Sequence, residues 1–322
     1  MIIETVDYHT AGEPFRIVAS GLPPIPGDTV AERRAIALGA GGSPTSPRPS
    51  RLDTVRQLLT REPRGHAGMY GGFLVPPDDS EAHLGVLFFH KDGYSTACGH
   101  GTIALGAWAV DSGLVAAPED GRAQVRIDVP SGRVTAVVHR SGGRTTAVTF
   151  RNVPTRVLAR AVTVKTSVGE LNVDLADAGA VYASLRVDEV SLGTLPGLTA
   201  LGREIRSALP ARYDVYGVIF HQELPDGPSG PRQRNVTVFA DGQIDRSPCG
   251  SGTSARLALL AEDGLRGELW HESVIGTVFT GRVVAERDGG VVTEVTGEAY
   301  PTGEHRFVLA DGDGLGTGFL LQ

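Results

Sequence analysis

Apolar residues recur at two different periods along the chain. Alternating or short apolar runs at residues 2–8, 15–19, 69–75, 84–89, 124–129, 132–138 and 145–150 predict strands in the first half. A second set follows at residues 157–164, 171–175, 181–187, 213–221, 235–240, 274–284, 291–295 and 305–309. Helical spacing appears where Leu52, Val55, Leu58 and Leu59 fall within residues 51–60, and helices are also predicted at residues 30–38 and 197–209. Proline, glycine and serine mark a turn region at 21–28, a flexible connection at 39–50, a break at 61–66 and an exposed loop at 223–233.

One stretch occurs twice. Cys98-Gly99-His100-Gly101-Thr102 leads into an apolar run, and Cys249-Gly250-Ser251-Gly252-Thr253 does the same about 150 residues later. The match continues: Ala104 answers Ala255, Ala107 answers Ala258, and Asp111-Ser112-Gly113-Leu114 answers Glu262-Asp263-Gly264-Leu265. Each copy reads as a glycine turn followed by a helix that a glycine ends, at Gly113 or Gly264. A repeat at this distance predicts two copies of one domain. We expect an α/β (α+β) fold of two pseudo-symmetric, strand-rich domains, each with a central helix, and an active site in the cleft they form. The boundaries are expected at 1–150 and 151–304, with a strand at about 305–322 returning to the first domain.

Composition narrows the function. A hydrophobic content of 41% allows sizeable cores, and a net charge of −7 without a Lys/Arg cluster argues against nucleic acid or an anionic membrane as partner. No stretch resembles a signal peptide or a membrane span, so a cytoplasmic location is expected. The only cysteines, Cys98 and Cys249, would there be thiols rather than a disulfide. Lys91 and Lys165 are the only lysines, which leaves pyridoxal phosphate chemistry few candidates for its Schiff base.

Two thiols at helix N-termini suit proton transfer at carbon. The partial positive charge there stabilises a thiolate, and the glycines let backbone amides approach a substrate carboxylate. A thiolate on one face of an amino acid Cα and a thiol on the other would invert the centre without a cofactor. His100 and Asp245 flank the cysteines and could orient the substrate amine, although a histidine at a helix start also serves as a cap and an aspartate as a turn residue.

Other readings compete. A lone cysteine is more often a buried apolar residue than a catalyst. Both glycine motifs match Gly-x-Gly-x-x-Gly/Ala, but that fingerprint alone is unspecific and residues 93–96 and 245–248 intervene after the preceding strands. A Cys-His hydrolase using Cys98 with His66 or His100 leaves the second motif unexplained. A metal module of Cys98, His100, Cys249 and Asp245 lacks paired-ligand spacing. A non-catalytic structural protein has no use for both turns.

The chain resembles the proline racemase family. The resemblance rests on Asp7-Tyr8-His9-Thr10-Ala11-Gly12-Glu13-Pro14, Glu62-Pro63-Arg64-Gly65-His66, both cysteine motifs, Phe279-Thr280-Gly281-Arg282 and Gly318-Phe319-Leu320-Leu321. It implies two domains of the diaminopimelate-epimerase type, a mechanism free of pyridoxal phosphate and metal, a proline-like substrate and commonly a homodimer. Carried over by position, Cys98 and Cys249 look like the acid/base pair. Gly99, His100, Gly250 and Ser251 match the carboxylate-holding positions, His100 and Asp245 those near the ring nitrogen, and Tyr70 and Phe239 those that wall the ring. Residues 90–95 and 279–281 look like the trans-3-hydroxy-L-proline dehydratase branch. That branch typically carries threonine where Cys249 stands, so the expectation is a racemase or hydroxyproline epimerase first and a dehydratase second. Ala97 and the segment Asp177-Ala178-Gly179-Ala180 depart from the family pattern, and an acidic residue lining the pocket would favour an extra polar group on the substrate.

Overall fold

A computed structural model of the chain describes residues 1–39, 51–187, 195–240, 242–265 and 267–321. The flexible connection expected at 39–50 lies, from residue 40 onward, outside them. In chain order the elements are β1 (Ile2–Thr10), β2 (Glu13–Ser20), α1 (Val30–Ala37), α2 (Arg51–Thr60), β3 (Gly71–Val75), β4 (Leu84–His90), β5 (Gly93–Tyr94), α3 (Gly99–Asp111), β6 (Gly121–Val129) and β7 (Gly132–Ser141). There follow β8 (Arg144–Arg151), β9 (Arg156–Thr166), β10 (Gly169–Asp177), β11 (Val181–Arg186), α4 (Leu195–Ala208), β12 (Val215–Gly227) and β13 (Gly230–Phe239). The chain ends with α5 (Gly250–Glu262), β14 (Leu269–Glu272), β15 (Val278–Arg287), β16 (Gly290–Gly297) and β17 (Ala299–Val308). It is a strand-rich α/β fold of two compact units.

The first unit comprises Met1–Thr10, Pro14–Thr146 and Ala299–Gln322. Here β2 and β3 run parallel, β3 and β4 antiparallel, and β4 pairs with β5 antiparallel and with β6 parallel. β6 and β7 form a hairpin, and β17 returns to pair antiparallel with β1 from Ile2↔Val308 to Thr10↔Ala299. Val55, Leu58 and Leu59 of α2 join Ile3, Val18, Phe73, Leu87 and Phe89 in one core, each buried side chain being worth about 1.5–3 kcal/mol. Thr29 starts α1 through a capping box with Glu32, each side chain reaching the other's backbone N–H.

The second unit comprises Ala11–Glu13 and Ala147–Glu298. β9, β10 and β11 are antiparallel neighbours, β11 and β12 run parallel, and β12 and β13 form a long hairpin. β14 joins β13 in parallel, β15 and β16 continue antiparallel, and β16 pairs with β8. Val173, Leu175, Ala183, Leu198, Ile205, Phe220 and Val236 form its core, against which α4 lays its apolar face.

Each unit holds one 13-residue helix of the repeat, α3 or α5, buried on nearly every side. That burial explains why neither helix shows a solvent-facing polar stripe; the polar side chains they carry, among them Thr102, Ser254 and Arg256, are buried as well. Gly113 and Gly264 follow their last turns at φ +76° and +85°, a conformation an L-residue resists.

Four points differ from expectation. Residues 223–233 are exposed around their tip, as expected, but they are not a loop: they complete the β12–β13 hairpin, and Gln233 is fully buried. Their prolines suggested a loop, but a register shift between Leu224 and Gly227 accommodates Pro225, and Pro228 sits at the tip, where no ladder donor is missed. The strand expected at 274–284 begins only at Val278, because Ser273 and Thr277 close a turn through Ser273 N–H on the Thr277 carbonyl (2.8 Å) and their hydroxyls (2.7 Å). β14 was not anticipated; four residues carry no periodicity, and its neighbours define it. The last strand is also longer than residues 305–309, beginning at Ala299.

Candidate active site

In the first unit Cys98 is the N-cap of α3. Its backbone is extended (φ −155°), and its sulfur accepts the Gly101 N–H at 3.3 Å, as a capping oxygen would. Both ring nitrogens of His100 stand 3.5 Å from the same sulfur. The His100 ring is held edge-on by Tyr70 (centroids 5.0 Å apart) and Phe15 (5.8 Å). Tyr70 in turn shares a short hydrogen bond with Ser95, so the ring is fixed at both ends. Cys98 is 5% exposed, low enough that water weakens these contacts little.

Cys249 holds the equivalent place on α5 in the second unit, with different local chemistry. Its φ is +67° and its sulfur makes no capping bond to the helix. Such a conformation costs about 1–3 kcal/mol in a non-glycine residue and survives only where the surroundings enforce it. They do: Cys249 N–H donates to Ser247 Oγ (3.1 Å), and Asn235 Nδ2 donates to the Pro248 carbonyl (3.1 Å). The sulfur instead faces Tyr182, whose hydroxyl is 3.7 Å away and 2.8 Å from Ser251 Oγ. Burial first, and then the charge of Asp245, push the Cys249 thiol well above its ordinary range, which keeps its proton on.

The threonine and second glycine of the repeat now have reasons. Thr102 Oγ1 donates to the Cys98 carbonyl at 2.8 Å and Thr253 Oγ1 to the Cys249 carbonyl at 2.7 Å, so both helices lock their first turn identically. A Cβ at Gly101 would lie 2.8 Å from the Cys98 sulfur, and one at Gly252 2.9 Å from the Cys249 sulfur. Only glycine leaves each thiol its place.

The loop before α5 is heavily tied. Asp245 Oδ1 accepts from Ser247 N–H (2.8 Å) and Ser247 Oγ (2.7 Å), while Oδ2 is buried with no hydrogen-bond partner among the described residues. Desolvation pushes the Asp245 carboxyl up to about 6, against the pull of those bonds and of Arg246. Behind the helix, His271 Nδ1 pairs with Thr253 Oγ1 at 2.8 Å, and burial holds this imidazole down to about 3.

Gly99 and Gly250 open their helices, and His100 and Ser251 follow them in the first turns. Tyr70 therefore lies beside His100 within the first unit. Phe239, at the end of β13 in the second, packs its ring 5.5 Å from that of Tyr216, which meets Tyr182 edge-on. Asp177 spends its carboxylate locally, accepting from Gly179 N–H at 2.9 Å. Among the described residues no group of three or more His, Cys, Asp and Glu side chains is placed to hold a metal, and no helix is long and apolar enough to cross a membrane. Tyr182 and Ser247 escaped the sequence reading: Tyr182 looks like any core residue of its apolar strand, and Ser247 like any turn residue.

Comparisons with known proteins agree on one family. Residues 5–320 match the model described as proline racemase. The chain is 39% identical to the trans-3-hydroxy-L-proline dehydratase of Bacillus cereus (99% of this chain, 98% of that one). It is 40% identical to the 3-hydroxyproline 2-epimerase of Burkholderia multivorans, over the same shares. A crystal structure of a hydroxyproline epimerase from Agrobacterium vitis, with bound trans-4-hydroxy-L-proline, superposes with a TM-score of 0.87 at 30% identity, covering 99% of this chain and 95% of that one. With a cysteine at the N-cap of each buried helix and this match over nearly its whole length, the chain belongs to the proline racemase family.

Proposed function

We propose that the chain removes the Cα proton of a 3-hydroxyproline with Cys98 and Cys249 as its acid/base pair, and that loss of the 3-hydroxyl is the main fate of the resulting carbanion. The observation that carries the proton transfer is the placement of each sulfur at the first turn of a buried helix, an N-terminus whose partial positive charge suits a carboxylate. Cys98, with an N–H aimed at its sulfur, suits the base; Cys249, held protonated, suits the acid. Gly99, His100, Gly250 and Ser251 would hold the carboxylate. Asp245, with one oxygen unpartnered, would meet the ring nitrogen, and Tyr70 and Phe239 would shape the space for the ring.

In dehydration the Cα–H electrons form the C2–C3 double bond, the C3–O bond breaks, and hydroxide leaves with a proton as water. The enamine then tautomerises to a cyclic imine. The names of similar proteins support this outcome, since trans-3-hydroxyproline dehydratases predominate among them. The sequence alone favours inversion, and the names of the relatives favour dehydration.

A second reading, 2-epimerisation, is favoured by Cys249 itself. Elimination needs a base on one face only, whereas a second thiol can return a proton to the other face of Cα. The 3-hydroxyproline 2-epimerase among the relatives is consistent with it.

The test is NMR in D2O with L- and D-proline and the 3- and 4-hydroxyproline stereoisomers. The cyclic imine from trans-3-hydroxy-L-proline marks dehydration, and its C2 epimer with deuterium at Cα marks inversion. Cys98→Ser should lose both products and Cys249→Ser inversion alone. Turnover of 4-hydroxyproline only, inversion without deuterium, or full activity in Cys98→Ser would overturn the reading.

A further inference from the structure

The two thiols occupy matching places in the repeat, yet their hydrogen-bond partners differ in kind. Cys98 receives a backbone N–H from Gly101, a donor that cannot turn round. Cys249 makes no such capping bond, the Gly252 amide pulling on its sulfur less than the Tyr182 hydroxyl does, and it faces that hydroxyl, which can either donate or accept. We propose that Tyr182 is the positioning residue for Cys249: its hydroxyl holds the sulfur in both protonation states, so that it controls the Cys249 limb of the reaction and leaves the Cys98 limb alone. The proposal rests on the Cα proton transfer set out above.

The geometry permits a reversal without moving a heavy atom. While Cys249 is a thiol, its S–H points to the Tyr182 oxygen 3.7 Å away, and the phenol O–H points to Ser251 Oγ at 2.8 Å. Once the proton has gone to substrate carbon, the phenol O–H turns to the thiolate and the Ser251 hydroxyl donates to the phenol oxygen. No proton changes owner within the pair: the phenol reorients and stays neutral, as its complete burial favours. A turnable donor matters here because the Asp245 carboxylate, in the same loop, opposes negative charge on the Cys249 sulfur.

The ring is built into its position. Tyr182 is 1% exposed, Tyr216 meets it edge-on at 6.0 Å and 90°, and a Cβ at Gly217 would come within 3.0 Å of its Cε1. Sixty-seven residues separate it from Cys249, so the contact is a product of the β11–α5 packing.

Tyr182→Phe removes the oxygen and keeps the ring. With trans-3-hydroxy-L-proline and its C2 epimer cis-3-hydroxy-D-proline in D2O, the variant should lose roughly 10- to 100-fold in inversion, and in Cα exchange from the D-epimer, the worth of one hydrogen bond to a charged group. Exchange or imine formation from the L-epimer, the Cys98 limb, should stay within about twofold of wild type and so report an intact fold. In a Cys249→Ala background, Tyr182→Phe should have no further effect beyond about twofold. Equal losses on both limbs, an added loss in that background, or an unchanged variant would overturn the role of Tyr182 while leaving the proton-transfer reading standing. A wild-type protein that exchanges only the L-epimer, with no inversion, would overturn it as well. Absence of Cα exchange from every 3-hydroxyproline in the wild type would instead overturn the underlying reading.

Discussion

Glu13 takes two bonds from Arg246 on a single oxygen, Oε2: the backbone N–H at 2.8 Å and the guanidinium Nε at 3.0 Å. The pair spans 233 residues of sequence and pins the loop Asp245-Arg246-Ser247-Pro248 that sets the backbone of Cys249. Glu13 is 2% exposed, so bonds of this kind replace the water its carboxylate has given up. Glu13→Ala should lower stability by about 1–3 kcal/mol, since the Arg246 N–H loses its acceptor while its guanidinium, 28% exposed, keeps access to water. Thermal melting reads that loss, and the rate of inversion should fall further than that of dehydration, because inversion needs the Cys249 thiol in addition to the substrate contact of Asp245 that both outcomes share.

The missing Cβ atoms of the repeat can be added back. Gly101→Ala would bring a methyl to 2.8 Å from the Cys98 sulfur and 2.4 Å from Phe15 Cε2, and Gly252→Ala would place one 2.9 Å from the Cys249 sulfur. A misplacement on the order of 1 Å at a reacting group costs roughly 100-fold. We expect Gly101→Ala to abolish all turnover and Gly252→Ala to suppress inversion selectively, both measured as initial rates of deuterium entry and imine formation.

Asp245 should act against stability at neutral pH. Its folded carboxyl lies near 6, above the ordinary 3.8, so its favourable contribution is complete below pH 4 and is lost as pH rises through 6. The difference corresponds to roughly 2–3 kcal/mol. Asp245→Asn should therefore raise the melting temperature at pH 8, raise it little at pH 4, and reduce activity at both. Equal melting shifts at the two pH values would contradict the burial argument.

His221 and His271 carry the opposite sign. Desolvation comes first for each, with Arg256 next, and they are held down to about 2 and about 3. Their contribution is present above pH 6.5 and fades as pH falls toward those values, because the unfolded chain takes up protons that the fold refuses. Two such groups outweigh the single gain from Asp245, so melting temperature should fall from pH 6.5 to 4. His221→Asn with His271→Asn should flatten that slope, checked by melting curves across the range.

The local features were legible in the residues themselves. A glycine turn followed by an apolar run and closed by Gly113 or Gly264 is a helix with both its ends written in a dozen residues, and its recurrence announced the pair of thiols. The hairpin at 223–233 was misread because prolines signal a break only where a ladder donor is needed, and the register shift that removes that need is a property of two strands together.

What the sequence by itself determined is where each sulfur sits: at the cap of a helix, with a glycine two residues beyond the first to make room. Only the tertiary structure decided what each sulfur faces. Tyr182, Glu13 and His271 reach the second motif from distant elements, and their own neighbours in sequence are those of ordinary core or turn residues. The physical reason is that helix capping depends on a few consecutive dihedrals, whereas the protonation of a buried thiol depends on whatever packing brings within about 4 Å of it.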